Sequence, residues 1–286
     1  MTRPEETAIT QAVIDRFAQT PDPRLKAIVT HLTRSLHAFV QEVEPTFDEW
    51  LSAIGFLTDV GRKCTESRQE FILLSDTLGV SMLVDAINHR QARGATESTV
   101  LGPFFVDTAP TVADGADISG GVAGEPLYVE AAIGDLQGRP IAGASVDVWQ
   151  SDTEGFYDVQ RKDLATHVLR ARLTSGPDGK VRFWSILPTA YPIPDDGPVG
   201  RMLKATGRHP WRPAHLHFKI GAQGHSPLVT HLFVRGGAYL DSDAVFGVKD
   251  TLVCDFPRHA PGQAPDGRTL DRPWRSLQHA FVLDGI

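Results

Sequence analysis

Cysteine is nearly absent from this sequence of 286 residues. Cys64 and Cys254 are the only two, which excludes a disulfide framework and leaves too few thiolates to hold a metal by themselves. A single bridge between them stays open, although reduced, buried thiols in a cytoplasmic protein are the expectation. Long apolar runs are also missing, and none approaches the roughly 20 residues that span a bilayer, so no membrane insertion is expected. Positive charge is in deficit, with 28 Lys and Arg against 35 Asp and Glu and a net charge of -7. That balance argues against a nucleic-acid-binding surface. The segment Met1-Thr2-Arg3-Pro4-Glu5-Glu6-Thr7 is charged and polar with no apolar run behind it, so no secretory leader is expected. Tyrosine is scarce as well: Tyr128, Tyr157, Tyr191 and Tyr239 are all there are. A metal site would have to rest on histidine, tyrosine or carboxylates.

What is present divides into two textures. Leu25, Ile28, Val29, Leu32, Leu36, Phe39, Val40 and Val43 follow helical spacing and make one apolar stripe. Phe47, Trp50, Leu51, Ile54 and Leu57 repeat the pattern after Pro45, with Thr46 and Glu49 placed to form a capping box. A third helical region runs from about Arg68 to His89, with a break near Ser75-Asp76-Thr77, where Asp76 or Ser75 could cap a second segment. After about Phe105, glycine and proline become frequent and short β-prone runs alternate between them: 127–131, 144–149, 180–184, 215–220 and 229–234. The expected fold is mainly β: an N-terminal α-helical part over residues 1–105 and a C-terminal β-sandwich over 106–286. The helical stripes either pack on the sandwich or drive dimerisation.

The segment Arg212-Pro213-Ala214-His215-Leu216-His217-Phe218 carries most of the chemistry. On a strand, residues two apart share a face. His215 and His217 would aim two imidazoles at one point while Leu216 and Phe218 turn into a core. Pro213 fixes the approach to the strand. Arg212 places a permanent cation beside both rings, which disfavours a divalent cation in a neutral site and favours an anionic ligand or a charge that develops during reaction. Tyr157 follows Gly155 in a loop after a strand, and Tyr191 lies between Pro188 and Pro192 in an extended loop. A phenol is ordinarily protonated, with a pKa of about 10, so tyrosine suits a hard, highly charged cation such as ferric iron better than Zn²⁺. Each tyrosine read alone is more often a half-buried packing residue than a ligand.

These residues match a family. The runs Val146-Asp147-Val148-Trp149-Gln150-Ser151-Asp152-Thr153-Glu154-Gly155-Phe156-Tyr157, Tyr191-Pro192-Ile193-Pro194-Asp195-Asp196-Gly197-Pro198 and Gly207-Arg208-His209-Pro210-Trp211-Arg212-Pro213-Ala214-His215-Leu216-His217 resemble, in order and separation, the intradiol ring-cleaving dioxygenases. So does Glu97-Ser98-Thr99-Val100-Leu101-Gly102-Pro103-Phe104-Phe105, and the likeness covers nearly the whole chain. The resemblance implies a mononuclear non-haem Fe(III), one per subunit, held by Tyr157, Tyr191, His215 and His217. It implies an aromatic ortho-diol and O₂ as substrates. Tyr191 would be the tyrosinate displaced by the diol, and Arg212 the group that stabilises negative charge on the ring. It further implies a homodimer through the N-terminal helices, with a phospholipid between them. His231 stands on the next strand, where catechol-cleaving relatives tend to carry glutamine; it is expected either to support the ligands from behind or to face the surface.

The segment Phe71-Ile72-Leu73-Leu74-Ser75-Asp76-Thr77-Leu78-Gly79 resembles the hydroxyquinol branch of that family. Asp76 has apolar residues at its helical neighbour positions, and an isolated carboxylate there is costly without a partner. A third ring hydroxyl would be such a partner; a helix cap is the plainer alternative. The resemblance also places Leu73, Val100, Leu101, Gly102, Pro103, Phe104, Ile193, Pro194 and Val245 around the ring. The expected reaction is cleavage of hydroxyquinol (1,2,4-trihydroxybenzene) to maleylacetate. Cleavage of catechol or a chlorocatechol to a cis,cis-muconate is the alternative within the family. A zinc hydrolase, an Fe(II) extradiol enzyme and a non-catalytic ligand-binding sandwich are the rivals outside it.

Overall fold

The fold was analysed in a computed structural model that describes residues 4–65, 68–90, 92–161, 164 and 166–286. By packing, the chain divides into two compact units, Met1–Asp59 and Val60–Ile286. The change from helix to strand falls later, between Asn88 and Ala116.

The first unit is helical. Helix α1 spans Pro4–Arg16, α2 spans Pro23–Val43, and α3 begins at Phe47 and ends at Lys63. Asp22 caps α2 by accepting from the Arg24 N–H, and Pro23 occupies the first turn, where its missing N–H costs nothing. The Thr46 capping box is present: Thr46 donates its backbone N–H to Glu49 at 2.8 Å, and Glu49 donates its own to Thr46 Oγ1 at 3.3 Å. The apolar stripe of α2 stays exposed, from 47% at Ile28 to 57% at Phe39.

The third helical region is two helices, α4 (Glu70–Thr77) and α5 (Val80–Asn88). The cap differs from expectation. Gly79, in the left-handed region at φ 73°, stands before α5 with no side-chain cap, a conformation glycine adopts without strain. Asp76 and Ser75 lie inside α4, and Ser75 Oγ pairs with Ser81 Oγ at 2.8 Å.

Seven longer strands follow: β1 (Pro126–Asp135), β2 (Ser145–Trp149), β3 (Arg170–Thr174), β4 (Lys180–Ile186), β5 (His215–Gly221), β6 (Leu228–Val234) and β7 (Trp274–Leu283). One five-stranded sheet runs Ala116–Asp117, β4, β1, β7, Arg258–His259; the other runs Val253–Cys254, β6, β5, β2, β3. Val129, Ala131, Phe183, Leu277 and Phe281 of the first sheet bury against Val146, Val148, Leu216, Phe218 and Ile220 of the second. Period-two alternation sends the other faces outward. On β2 and β5 those faces carry Asp147, Trp149, His215 and His217. Helix α6 (Pro198–Ala205) leaves the loop after Tyr191. Strands β3 and β7 lacked a clear signal: β3 is rich in arginine, and β7 mixes His279, Gln278 and Ser276 into its run.

Cys64 and Cys254 are both free thiols. Burial pushes the Cys254 thiol up to about 11. No helix among the described residues is long and apolar enough to cross a membrane.

Phe218 is fully buried, 4.8 Å from the Phe281 ring in the middle of the sandwich. Phe218→Ala should destabilise the protein by about 3–5 kcal/mol, the cost of a phenyl-sized cavity; urea unfolding of the two proteins measures it.

Candidate metal centre

His215 and His217 both point from β5 to the outer face of their sheet, and both are 1% exposed. Register places His217 between Trp149 of β2 and His231 of β6. The Trp149 indole stacks on the His217 ring at 4.6 Å and 15°, fixing its plane. His215 Nδ1 lies 2.7 Å from the Pro213 carbonyl, which only accepts, so Nδ1 donates and Nε2 keeps its lone pair. That Nε2 stands 3.1 Å from Nε2 of His217.

The two tyrosines arrive from different loops. Gly155 makes the first approach feasible: it sits at φ 87°, and a Cβ there would meet Tyr191 Cβ at 2.8 Å. After that turn, Tyr157 is fully buried beneath Phe104, whose ring stacks on it at 4.4 Å. Tyr191 is not in a free loop. With Pro192 it forms a two-residue strand against Trp211–Arg212, with Tyr191 directly opposite Arg212. The Tyr157 hydroxyl lies 2.8 Å from His217 Nε2 and 3.2 Å from the Tyr191 hydroxyl.

These separations fit a metal. Neighbouring donors about 3 Å apart are what a cation with bonds of about 2.0–2.1 Å collects around itself. Burial keeps both imidazoles neutral and free to donate lone pairs. His215 is pushed down to about 3 by burial and by the nearby Arg212 charge. His217 falls well below its usual value through burial, then the neighbouring His231 and His215. Burial, then the adjacent Tyr191, holds the Tyr157 phenol well above 10. Only a strongly charged cation could ionise it at neutral pH. The Nδ1 atom of His217 has no hydrogen-bond partner. Two oxygen donors of this kind beside two imidazoles match a hard trivalent ion better than zinc.

Arg212 lies over this cluster, 3% exposed, with Nη1 3.4 Å from the Tyr191 hydroxyl and 3.5 Å from His215 Nε2. Its Nε and Nη2 hold Asp243 at 3.0 and 3.2 Å. Asp243 also accepts from the backbone N–H groups of Val245 and Gly247. Burial would raise the Asp243 carboxyl, but the Arg212 charge and hydrogen bond outweigh it and hold it below the usual range. A Cβ on Gly247 would sit 2.9 Å from Arg212 Nη2, so the glycine leaves room for the guanidinium. Asp243 had no sequence signal: it lies 31 residues from Arg212 in a loop with two other polar neighbours, Asp241 and Ser242.

His231 is fully buried, not at the surface. Its ring meets His217 edge-on at 4.2 Å and His215 at 4.8 Å. Burial, then the His215 and Arg212 charges, push it well below its usual value. Among the described residues, His215, His217 and His231 form a group of candidate ligands whose offered atoms all lie within 4.8 Å. The Val100 backbone approaches His231 and favours its charged form, but neither ring nitrogen has a complete hydrogen bond.

Five of the expected ring neighbours meet at one cavity: Leu73, Asp76, Pro103, Phe104 and Pro194. Gly102 lies against His217, 3.4 Å from its Cε1 to the position of a Cβ. Val245 is buried beside Asp243, and Ile193 is buried with its N–H donated to Pro210. Leu101 is 38% exposed and does not line the cavity. Asp76 is 7% exposed. Burial raises its carboxyl above the usual range, against the pull of the Ser81 hydroxyl and the Arg212 charge.

Two buried histidines on the outer face of a sandwich sheet and two buried tyrosines from neighbouring loops, capped by an arginine, have the donor chemistry and spacing to hold a metal ion. Residues 100–285 match the family model described as "Dioxygenase", and residues 22–96 match "Catechol dioxygenase N terminus". The chain belongs to the intradiol dioxygenases, enzymes that use non-haem iron to cleave aromatic diols with O₂. It is 53% identical to a hydroxyquinol 1,2-dioxygenase of Nocardioides simplex, over 97% of this chain and 95% of that protein. A 6-chlorohydroxyquinol 1,2-dioxygenase of Cupriavidus pinatubonensis is 54% identical, over 89% of this chain and 92% of that one. The crystal structure of hydroxyquinol 1,2-dioxygenase from Pseudomonas putida superposes with a TM-score of 0.93 at 48% identity, covering 98% of this chain and 99% of that one.

Gly155→Ala should separate Tyr157 from Tyr191 through the clash at Tyr191 Cβ and the positive φ. The purified variant is expected to carry less than half the iron of the parent by metal analysis, while keeping its far-ultraviolet circular dichroism.

Proposed function

We propose that this chain is an Fe(III)-dependent enzyme that cleaves hydroxyquinol between its two adjacent hydroxylated carbons. Both atoms of O₂ enter the product, 3-hydroxymuconate, whose keto tautomer is maleylacetate. The observation that carries the substrate assignment is Asp76: a buried carboxylate lining the same cavity as Leu73, Pro103, Phe104 and Pro194. Ser81 is its side-chain partner, and the Arg212 charge acts on it without a hydrogen bond among the described residues. A ring carrying a third hydroxyl would donate to it, which a catechol could not.

Tyr157, Tyr191, His215 and His217 are the proposed ligands of one ferric ion per chain. When bound, that ion draws electron density from the chelated diol and opens a ring carbon to O₂. The protein groups do the rest. Tyr191, the tyrosine nearer to Arg212, would give way to the diol, and its oxygen would accept a proton from one of the diol hydroxyls. Arg212, anchored by Asp243, stays charged and faces the negative charge that develops on the ring. Trp149 and Phe104 hold the rings of His217 and Tyr157 in plane. His231 backs both histidines and is proposed to support them. Val100, Gly102, Ile193 and Val245 are proposed to complete the wall around the ring.

Residues 1–105 are proposed as a linker and dimerisation region, and 106–286 as the catalytic sandwich, in a cytoplasmic homodimer. The exposed stripe of α2 supports this, since seven large apolar residues on one helix are rarely left in water. A phospholipid between the helices suits the same surface.

Hydroxyquinol should give a kcat/KM above that of catechol; a higher value for catechol would overturn the substrate assignment and leave the reaction class intact. Asp76→Ala should lose about 10- to 100-fold in kcat/KM on hydroxyquinol, the worth of a hydrogen bond to a buried charge, with a much smaller loss on catechol. Sedimentation should show a dimer, and Leu32→Glu with Leu36→Glu should yield a monomer.

A further inference from the structure

Asp158 and Arg170 form a buried ion pair that the proposed reaction does not use. Asp158 follows Tyr157 directly and is 7% exposed; Arg170, on β3, is 2% exposed. Arg170 Nε lies 2.9 and 2.8 Å from the two carboxylate oxygens, and Nη2 lies 2.5 Å from Oδ1. His167 Nδ1 approaches Oδ2 at 2.7 Å, and the Val159 N–H donates to Oδ1 at 2.9 Å. Burial alone would raise this carboxyl; the bonds and charge of Arg170 reverse that and hold it below the usual range.

The pair stands behind two of the proposed ligands at once. Through Asp158 it grips the short helical turn 158–160, which is also tied by the Tyr157 N–H donating to Gln160 Oε1. Through strand register Arg170 sits opposite Trp149, whose indole stacks on His217. The charge of Arg170 is felt at both Tyr157 and His217. A buried ion pair contributes little net charge, but losing one member leaves the other uncompensated where screening is weak.

We infer that Asp158 and Arg170 are positioning residues for Tyr157: they fix the turn that carries it and hold the charge behind the Tyr157 and His217 donors near zero, which sets how strongly the site favours ferric over ferrous iron. This rests on the ferric site proposed above. An anchor without an electrostatic role would show the same mechanical effect for either residue. An electrostatic one requires opposite signs.

The test is the Fe(III)/Fe(II) potential of the iron-loaded protein, measured with Asp158→Asn, Arg170→Gln and Arg170→Lys. Asp158→Asn leaves a bare cation and should raise the potential. Arg170→Gln leaves a bare carboxylate and should lower it. Arg170→Lys keeps the charge and should stay near the parent. Unmoved potentials, or shifts of the same sign in the first two variants, would overturn the inference. If Arg170→Gln does not fold, a raised potential in Asp158→Asn with an unmoved one in Arg170→Lys supports it, and any other result overturns it. A parent protein that takes up no ferric iron would remove the proposed function and this inference together; a ferric parent with unmoved variants removes only this inference.

Discussion

Exclusion of water from a cluster of lone pairs is the constraint on which this molecule turns. Tyr157, His215 and His217 are each at most 1% exposed, and their donor atoms crowd within about 3 Å of one another. In water such groups would each be solvated. Here burial strips protons from the imidazoles and keeps one on the Tyr157 phenol. Such a cluster suits a cation of high charge. The sandwich supplies the rigidity this needs, since β2, β5 and β6 fix three of the buried rings by register.

Charge around that cluster is arranged in pairs. Arg212 lies over the donor atoms and is held by Asp243; Arg170, opposite Trp149 on the neighbouring strand, is held by Asp158. Each arginine is a permanent cation, and each is neutralised where it sits by a buried carboxylate. The positive charges close to the donor set are thus balanced locally. Two buried carboxylates line the cavity among the described residues: Glu70, held by Arg68 and the Val199 N–H, and Asp76, on α4, partnered by the Ser81 hydroxyl.

Much of this was legible in the chain. The His-x-His alternation on β5 put two imidazoles on one face because strand periodicity leaves no other choice. The capping box at Thr46 and the stripe of α2 were equally local. The tyrosines were legible only through family resemblance, because nothing in their spacing says that loops 34 residues apart converge. Asp243, Trp149, Asp158 and Arg170 were not singled out: each acts through a partner distant in sequence, and acidic or aromatic residues in loops and strands carry no spacing signal. The cap at Ser75 or Asp76 was misplaced because glycine at 79 made a side-chain cap unnecessary. Strands β3 and β7 give no clear alternation because arginines in β3 and Ser276, Gln278 and His279 in β7 interrupt their apolar runs.

Two tyrosines are proposed to ligate a ferric ion. The visible absorption spectrum of the purified protein tests this proposal most directly, recorded for the parent and for Tyr157→Phe. A broad tyrosinate-to-iron charge-transfer band is expected in the parent, changed on anaerobic addition of hydroxyquinol, and weakened and shifted when Tyr157 is replaced. A parent that turns over hydroxyquinol without such a band, or a variant whose band is unchanged, would contradict it.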